Sequence, residues 1–415
     1  MKPSFDLVVY GATSFVGQIL VKYLANYLSQ NPEDNIQWAM AGRSQSKLDE
    51  VRSSIPGGQD IPLLIADAED EEALRTICSQ TRVVISTVGP YALYGSTLVK
   101  VCAETGTDYC DLTGEVQWIK RMVDRFEPQA KQSGARIVHC CGFDSIPSDL
   151  GVAFLQKQAR EQFGQPCTDV KMRVKAMKGG MSGGTVASIV NITKEVVANP
   201  ALRKDLANPY LICPPEHSFT ARQPNQNGTA FDSDFQAWTA PFIMAGINTR
   251  VVHRSNALSG NGYGENFTYS EAVLTGKGMK GRMTGMSFVA GLGAFMVGAA
   301  LKPTRWFLES YVLPKPGEGP SPEAQLKGFY DLRFVGKTAD GQTLKTKVTG
   351  DRDPGYGSTA KMLAQAGLCL ALNTSKEQKP GGFWTTASVF DETIFERLTK
   401  NAGLTFEVQG SKGGR

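Results

Sequence analysis

Two glycines and a serine at fixed spacing, Gly11-Ala12-Thr13-Ser14-Phe15-Val16-Gly17, follow an apolar run and lead into a stretch whose apolar residues Val16, Leu20, Tyr23, Leu24 and Tyr27 recur on one helical face. Gly11 lets the chain turn off a strand, and Gly17 lets the helix lie close to the sheet. The unpaired amides at the helix start carry the positive end of its dipole, so the turn suits a diphosphate. Ser14 stands where a middle glycine is common, which narrows the backbone approach and supplies a hydroxyl donor. At the end of the next apolar run, Met-Ala-Gly-Arg-Ser places Arg43 and Ser44 where an acidic residue would select NAD. A guanidinium there favours the 2′-phosphate of NADP(H) by roughly 1.5 to 3 kcal/mol, on the order of ten- to hundredfold.

Later loops carry more polar chemistry. Val88-Gly89-Pro90, after the fourth strand-like run, passes beneath the nicotinamide ribose, with Tyr91 and Tyr94 either donating a proton or walling the pocket. Asp67 either borders the adenine or caps the next helix. Asp111, Thr113 and Glu115, then Gly142, Asp144, Ser145 and Asp149, leave two further strand ends. Gly142 is assigned to the cofactor, Asp111, Asp144 and Ser145 to the substrate, and Ser148 and Asp149 alternatively cap a helix near Leu150. No metal is expected, because His139, Cys140 and Cys141 are neighbours on a strand and point to alternate faces.

These loops need a scaffold, and residues 1–150 supply a strand–helix alternation. Strands are predicted at Leu7–Tyr10, Ile36–Ala41, Ile61–Ala66, Arg82–Thr87, Thr107–Cys110 and Arg136–Cys140, with a helix between each pair. Apolar strands joined by single helices run parallel and are covered on both faces, which is the doubly wound Rossmann architecture with its ligand crevice at the strand carboxyl ends. The fold class is α/β, with a mixed α+β second domain.

The chain has 415 residues, 41% of them apolar and 20% charged, enough for about two domains. A net charge of +4, with no dense basic stripe, argues against nucleic acid. Residues 1–6 carry no export signal, and eight cysteines without CxxC pairs suggest reduced thiols in the cytoplasm.

Beyond residue 150 the alternation stops. Val170, Met172, Val174 and Ala176 alternate as a half-buried strand; a glycine cluster at 179–185, including Gly183 and Gly184, either approaches the substrate or serves as a hinge. Asp340-Gly341 marks a hairpin, and 356–373 and 391–398 read as helices. The boundaries expected are 1–150 for cofactor, 151–350 for substrate and oligomerisation, and 351–415 as C-terminal helices packing back. Thr284 to Leu301 is uncharged over 18 residues, which as a helix reaches about 27 Å against a hydrocarbon core of about 30 Å. Lys277, Lys280, Arg282, Lys302 and Arg305 flank it, with Trp306, Phe307 and Tyr311 beyond, so 284–313 reads as a membrane-docking or acyl-binding element, a core or dimer helix, or a span.

The stretches "YGATSFVG", "AGRS", "VGPY", "YCDLTGE", "GFDSIPSDLG", "GGMSGGT", "KPGEGPSPE" and "GDRDPGYGSTAKML" together resemble the saccharopine-dehydrogenase-like oxidoreductases, in particular their trans-acting enoyl reductase branch, over nearly the whole chain. The resemblance implies an NADP(H)-dependent reductase of a lipid or polyketide-like enoyl substrate, with peripheral membrane contact and a homodimer as further expectations, and supplies no catalytic acid. Hydride addition to the enoyl β-carbon would leave an enolate stabilised by donors near Gly89, Tyr91 or Gly142. The alternatives are an imine reductase using Arg173 and Arg352 for carboxylates, and a membrane-associated nucleotide-binding protein without turnover.

Overall fold

The computed structural model describes residues 3–179, 183–300, 304 and 319–410. The N-terminal half alternates β1 (Phe5–Tyr10), α1 (Phe15–Gln30), β2 (Trp38–Gly42), α2 (Gln45–Ser53), β3 (Leu63–Ile65), α3 (Glu71–Ser79), β4 (Thr81–Ser86), α4 (Tyr91–Tyr94), α5 (Ser96–Thr105), β5 (Asp108–Asp111), α6 (Val116–Ser133), β6 (Arg136–Val138) and α7 (Ile146–Phe163). The predicted strands and helices are present with their ends shifted by at most two residues, except that the short α4 was not expected and α7 starts at Ile146, four residues before the expected Leu150. A first sheet orders its strands 6-5-4-1-2-3, all parallel. Leu7, Val8 and Val9 are fully buried because both faces are covered. Leu7 and Val9 join the layer of Leu20 and Leu24, while Val8 and Tyr10 join that of Leu74, Val99 and Trp118.

A second sheet is mixed. Its strands are β7 (Cys167–Lys178), β8 (Ala230–Asp232), β9 (Ala237–Pro241), β10 (Thr268–Gly276), β11 (Phe329–Thr338), β12 (Thr343–Gly350) and, near the chain end, β14 (Leu404–Val408), in the order 14-12-11-7-10-9-8. β7 pairs parallel with β10 and antiparallel with β11, whose hairpin to β12 turns at Gly341 with φ +89°. Among the helices, α8 (Gly183–Ala198), α9 (Ala201–Ala207), α10 (Ala245–Leu258) and α11 (Gly278–Ala300) precede β11, as does the short α12 (Pro322–Leu326).

The chain then returns to the first sheet. α13 (Thr359–Leu372) lies against it, with Leu363, Ala366 and Leu370 in the same buried layer as Leu7 and Val9. It starts later than the sequence suggests because Asp353 accepts the Tyr356 and Gly357 amides in a wide turn at Pro354–Ser358. β13 (Gly382–Trp384) then adds a seventh parallel strand beside β6. No sequence signal marks it, since three residues are too few for a period. α14 (Thr386–Val389) and α15 (Thr393–Asn401) follow. The return is tied by Arg136, which donates to Asp108 (Nη2–Oδ2 2.5 Å) and to the carbonyls of Leu370 and Thr374. Both charged side chains are 3% exposed.

All eight cysteines are buried free thiols. Removing one member of a buried ion pair leaves the other uncompensated, so Asp108→Ala is expected to lower unfolding free energy by roughly 3 to 5 kcal/mol in urea denaturation.

Candidate functional site

A cavity of about 1010 Å³ opens at the carboxyl ends of the parallel strands. Its first wall is the turn after β1. Gly11 has φ +88°, and a Cβ there would stand 2.6 Å from the Val88 side chain; at Gly17 a Cβ would meet the Gly11 carbonyl at 2.2 Å. Thr13, Ser14, Phe15 and Val16 line the cavity, whereas Ala12 and Gly17 are buried packing positions behind it. Ser14 is not a free phosphate donor as expected: its hydroxyl accepts the Gly17 amide at 2.9 Å and lies 2.9 Å from Thr87 Oγ1, which donates to the Gly11 carbonyl. The amides of Thr13, Phe15 and Val16 have no protein acceptor among the described residues, so the turn presents several N–H groups at the end of a 16-residue helix.

The adjoining end of the cavity carries two cations and the carboxylates of Asp67 and Glu69. Arg43 lines it, exposed and without a hydrogen bond or ion pair among the described residues. Ser44 also lines it, though its hydroxyl caps α2 by accepting the Lys47 amide. Lys47, missed in the sequence, brings a second cation to the same wall; it lies in the first turn of α2, whose start Ser44 marks. Asp67 borders this end and accepts the Glu69 amide, while Asp70 is the residue that caps α3.

At the other end, Val88, Gly89 and Pro90 form the floor. Tyr91 cannot serve as a mobile proton donor. Its hydroxyl donates to the Ser86 carbonyl at 3.0 Å and accepts the Leu112 amide, its ring packs on Trp118, and burial holds its pKa well above the ordinary phenol range. Tyr94 lines the cavity but is 42% exposed. Asp111 is not a substrate ligand either: fully buried, it accepts the Tyr109 hydroxyl and the Thr113 and Cys140 amides and lies 2.7 Å from His139 Nδ1. Ser145 faces away, its hydroxyl on Asn248, because φ +95° directs the chain into α7. Ser148 and Asp149 lie inside α7 rather than capping it, and Asp149 accepts from Ser255, Thr386 and the Ala387 amide. Glu115 accepts the Tyr91 and Ala92 amides and the Ser188 hydroxyl, bracing α4 and α8.

Gly142 and Asp144 do reach the cavity. A Cβ at Gly142 would stand 2.8 Å from Thr359 Cγ2, so the glycine admits the start of α13. The Asp144 carboxyl has no hydrogen bond or ion pair among the described residues, and burial raises its pKa to about 7. Gly183 and Gly184 open α8; residues 180–182 of their cluster lie outside the described residues. The sequence also missed the far wall, where Ile192, Met244, Ile247 and Arg250 meet, and Tyr356, which packs edge-on to Phe15 at 4.7 Å. Among the described residues, no cluster of three or more His, Cys, Asp or Glu side chains is arranged to hold a metal.

Residues 7–138 match the model of the saccharopine dehydrogenase NADP binding domain. The chain is 37% identical over 410 residues to a trans-acting enoyl reductase of Mycobacterium tuberculosis, with 95% of each chain covered, and 35% identical over 412 residues to one of Mycobacterium leprae, with 96% of each covered. It belongs to the saccharopine-dehydrogenase-like oxidoreductases, in their trans-acting enoyl reductase branch. The apo saccharopine dehydrogenase (L-Glu forming) of Saccharomyces cerevisiae has the same fold, with a TM-score of 0.55 at 12% identity over 97% of this chain and 99% of that one. As a member of this family the protein is an NADP(H)-dependent oxidoreductase. The residues present fit the cofactor: free amides for the diphosphate, a glycine turn that a Cβ would obstruct, and two cations beyond β2.

In fluorescence titrations of this oxidoreductase, Arg43→Ala is expected to weaken NADPH binding by on the order of ten- to hundredfold while leaving NADH nearly unchanged. Gly17→Val should abolish binding of both nucleotides, since its side chain would displace the Gly11 carbonyl.

Proposed function

We propose that the protein reduces the activated carbon–carbon double bond of an enoyl substrate with NADPH, and that the substrate is lipid-like. The observation that carries the lipid-like reading is the cavity's apolar lining. Val116, Ile192, Ile243, Met244 and Ile247 line it, with Arg250 beside them, a mostly apolar wall suited to an acyl chain. The relatives named trans-acting enoyl reductase, matched along almost the whole chain, support the reaction class.

NADPH, when bound, supplies a hydride for the substrate's β-carbon. The chain's own residues orient and enclose. Thr13, Phe15 and Val16 present amides to the diphosphate, and the Val88–Pro90 floor and Tyr356 enclose the redox end. The imine-reductase reading requires arginines for carboxylates. Arg173 is instead bound to Asp232 at 2.8 Å in the second sheet, and Arg352 lies beside Asp351; neither lines the cavity.

The same proposal includes a peripheral membrane contact through α11. Among the described residues no helix is long and apolar enough to cross a membrane. α11 nevertheless exposes Met279, Met283, Met286, Phe288, Met296 and Val297, next to exposed Lys277, Lys280 and Arg282. An apolar helix bordered by cations is suited to an anionic bilayer surface. Lys302, Arg305, Trp306, Phe307 and Tyr311 lie outside the described residues.

With a medium-chain enoyl thioester, purified protein should oxidise NADPH and give the saturated thioester. Oxidation only with a keto acid plus an amine would favour imine reduction, and nucleotide binding without either would mark a protein without turnover. In flotation assays, vesicles containing phosphatidylglycerol should retain the protein better than phosphatidylcholine alone. Replacing Met283 and Met286 by Glu should lower binding about tenfold or more, as expected for two side chains that enter the bilayer; retention unchanged by these substitutions would overturn the α11 contact.

A further inference from the structure

The crevice gathers several carboxylates, and their partners separate them. Asp111, Glu115 and Asp149 each accept three or more hydrogen bonds, so all three are committed to holding elements together. Asp144 differs. It leaves β6 on the loop before α7, lines the same cavity as the Val88–Pro90 floor, and has neither a hydrogen bond nor an ion pair among the described residues. The first amides of α7 do not compensate its charge: Ser145 N–H donates to the Phe143 carbonyl and Ile146 N–H to that of Gly142. Opposite it, Gly114 is a glycine whose added Cβ would stand 3.0 Å from Asp144 Oδ2, so the carboxyl fits against bare backbone.

We infer that Asp144 is the catalytic acid that protonates the substrate α-carbon, a role that rests on the enoyl-reduction reading. Hydride addition at the β-carbon moves the double-bond electrons toward the carbonyl oxygen. The α-carbon then forms its bond to the Asp144 proton, the carboxylate is left behind, and solvent restores its proton. The substrate is reduced by two electrons and NADPH is oxidised by two. The competing donors are weaker: the Tyr91 hydroxyl is bonded to Ser86 and Leu112, and Tyr94 is largely exposed. Tyr91 on α4, Arg250 on α10 and Tyr356 before α13 line the same cavity, and Cys140 after β6 feels the Asp144 charge, which helps to raise its thiol pKa. No hydrogen bond or ion pair joins Asp144 to a described residue. Desolvation raises the pKa of Asp144 to about 7, which keeps the acid form populated at neutral pH.

The test combines Asp144→Asn and Asp144→Glu with direct titration of the carboxyl. In protein labelled with ¹³C at aspartate side chains and free of nucleotide, one carboxyl resonance should titrate near pH 7 and vanish in Asp144→Asn. With an enoyl thioester, wild-type kcat should fall as pH rises through that value, because the acid form is lost. Asp144→Asn should lose on the order of a hundredfold in kcat, with KM and NADPH affinity little changed and no alkaline limb, and Asp144→Glu should recover part of the rate. Wild-type turnover with an unaltered alkaline limb in Asp144→Asn, or an Asp144 resonance titrating near pH 4, overturns the assignment. Wild-type protein that binds NADPH yet reduces no enoyl thioester overturns the parent reading, and the carboxyl titration tells that failure apart.

Discussion

The function depends on keeping the amino end of the first helix open. Helix termini tend to satisfy their own N–H groups, and Ser14 does cap this one. It takes only the Gly17 amide, however, and its second contact is Thr87, whose hydroxyl also fastens the Gly11 carbonyl. The turn is therefore pinned to the strand beside it by side chains, while the amides of Thr13, Phe15 and Val16, all lining residues, have no acceptor among the described residues. A rigid loop that does not collapse onto its own donors gives a diphosphate a site that needs little reorganisation on binding.

A second constraint is the handling of buried carboxylates. Burying a carboxylate without partners is costly, and most of those around the crevice are saturated with amides and hydroxyls. Glu115 links α4, α6 and α8, and Asp149 links α7, α10 and α14. Each bridges elements distant in sequence, which makes the crevice walls stiff. One carboxyl lacking such partners stands out against this background. Asp144 is half-buried at the cavity wall.

The two sheets are interlocked by the last part of the chain. α13 covers the first sheet, β13 extends it, and β14 closes the edge of the second. The turn at Pro354–Ser358 lies between them and brings Tyr356 and Thr359 to the cavity. The cavity is thus assembled from residues near both ends of the chain.

The sequence by itself determined what depends on local spacing. The order of strands and helices through residue 140, the glycine turn, Arg43 and the Asp340-Gly341 hairpin were legible because helix period, strand alternation and positive φ are written in neighbouring residues. The family likeness was legible in the loops for the same reason. The tertiary structure alone decided which polar groups were free. Asp111, Ser145, Tyr91 and Asp144 occupy similar places at strand ends, yet three are committed to other groups and one is not, because hydrogen-bond partners such as His139 and Asn248 arrive from other parts of the fold. Likewise Lys47, Arg250 and Tyr356 join one cavity only through packing, and the three-residue strand β13 exists only because β6 offers it an unpaired edge.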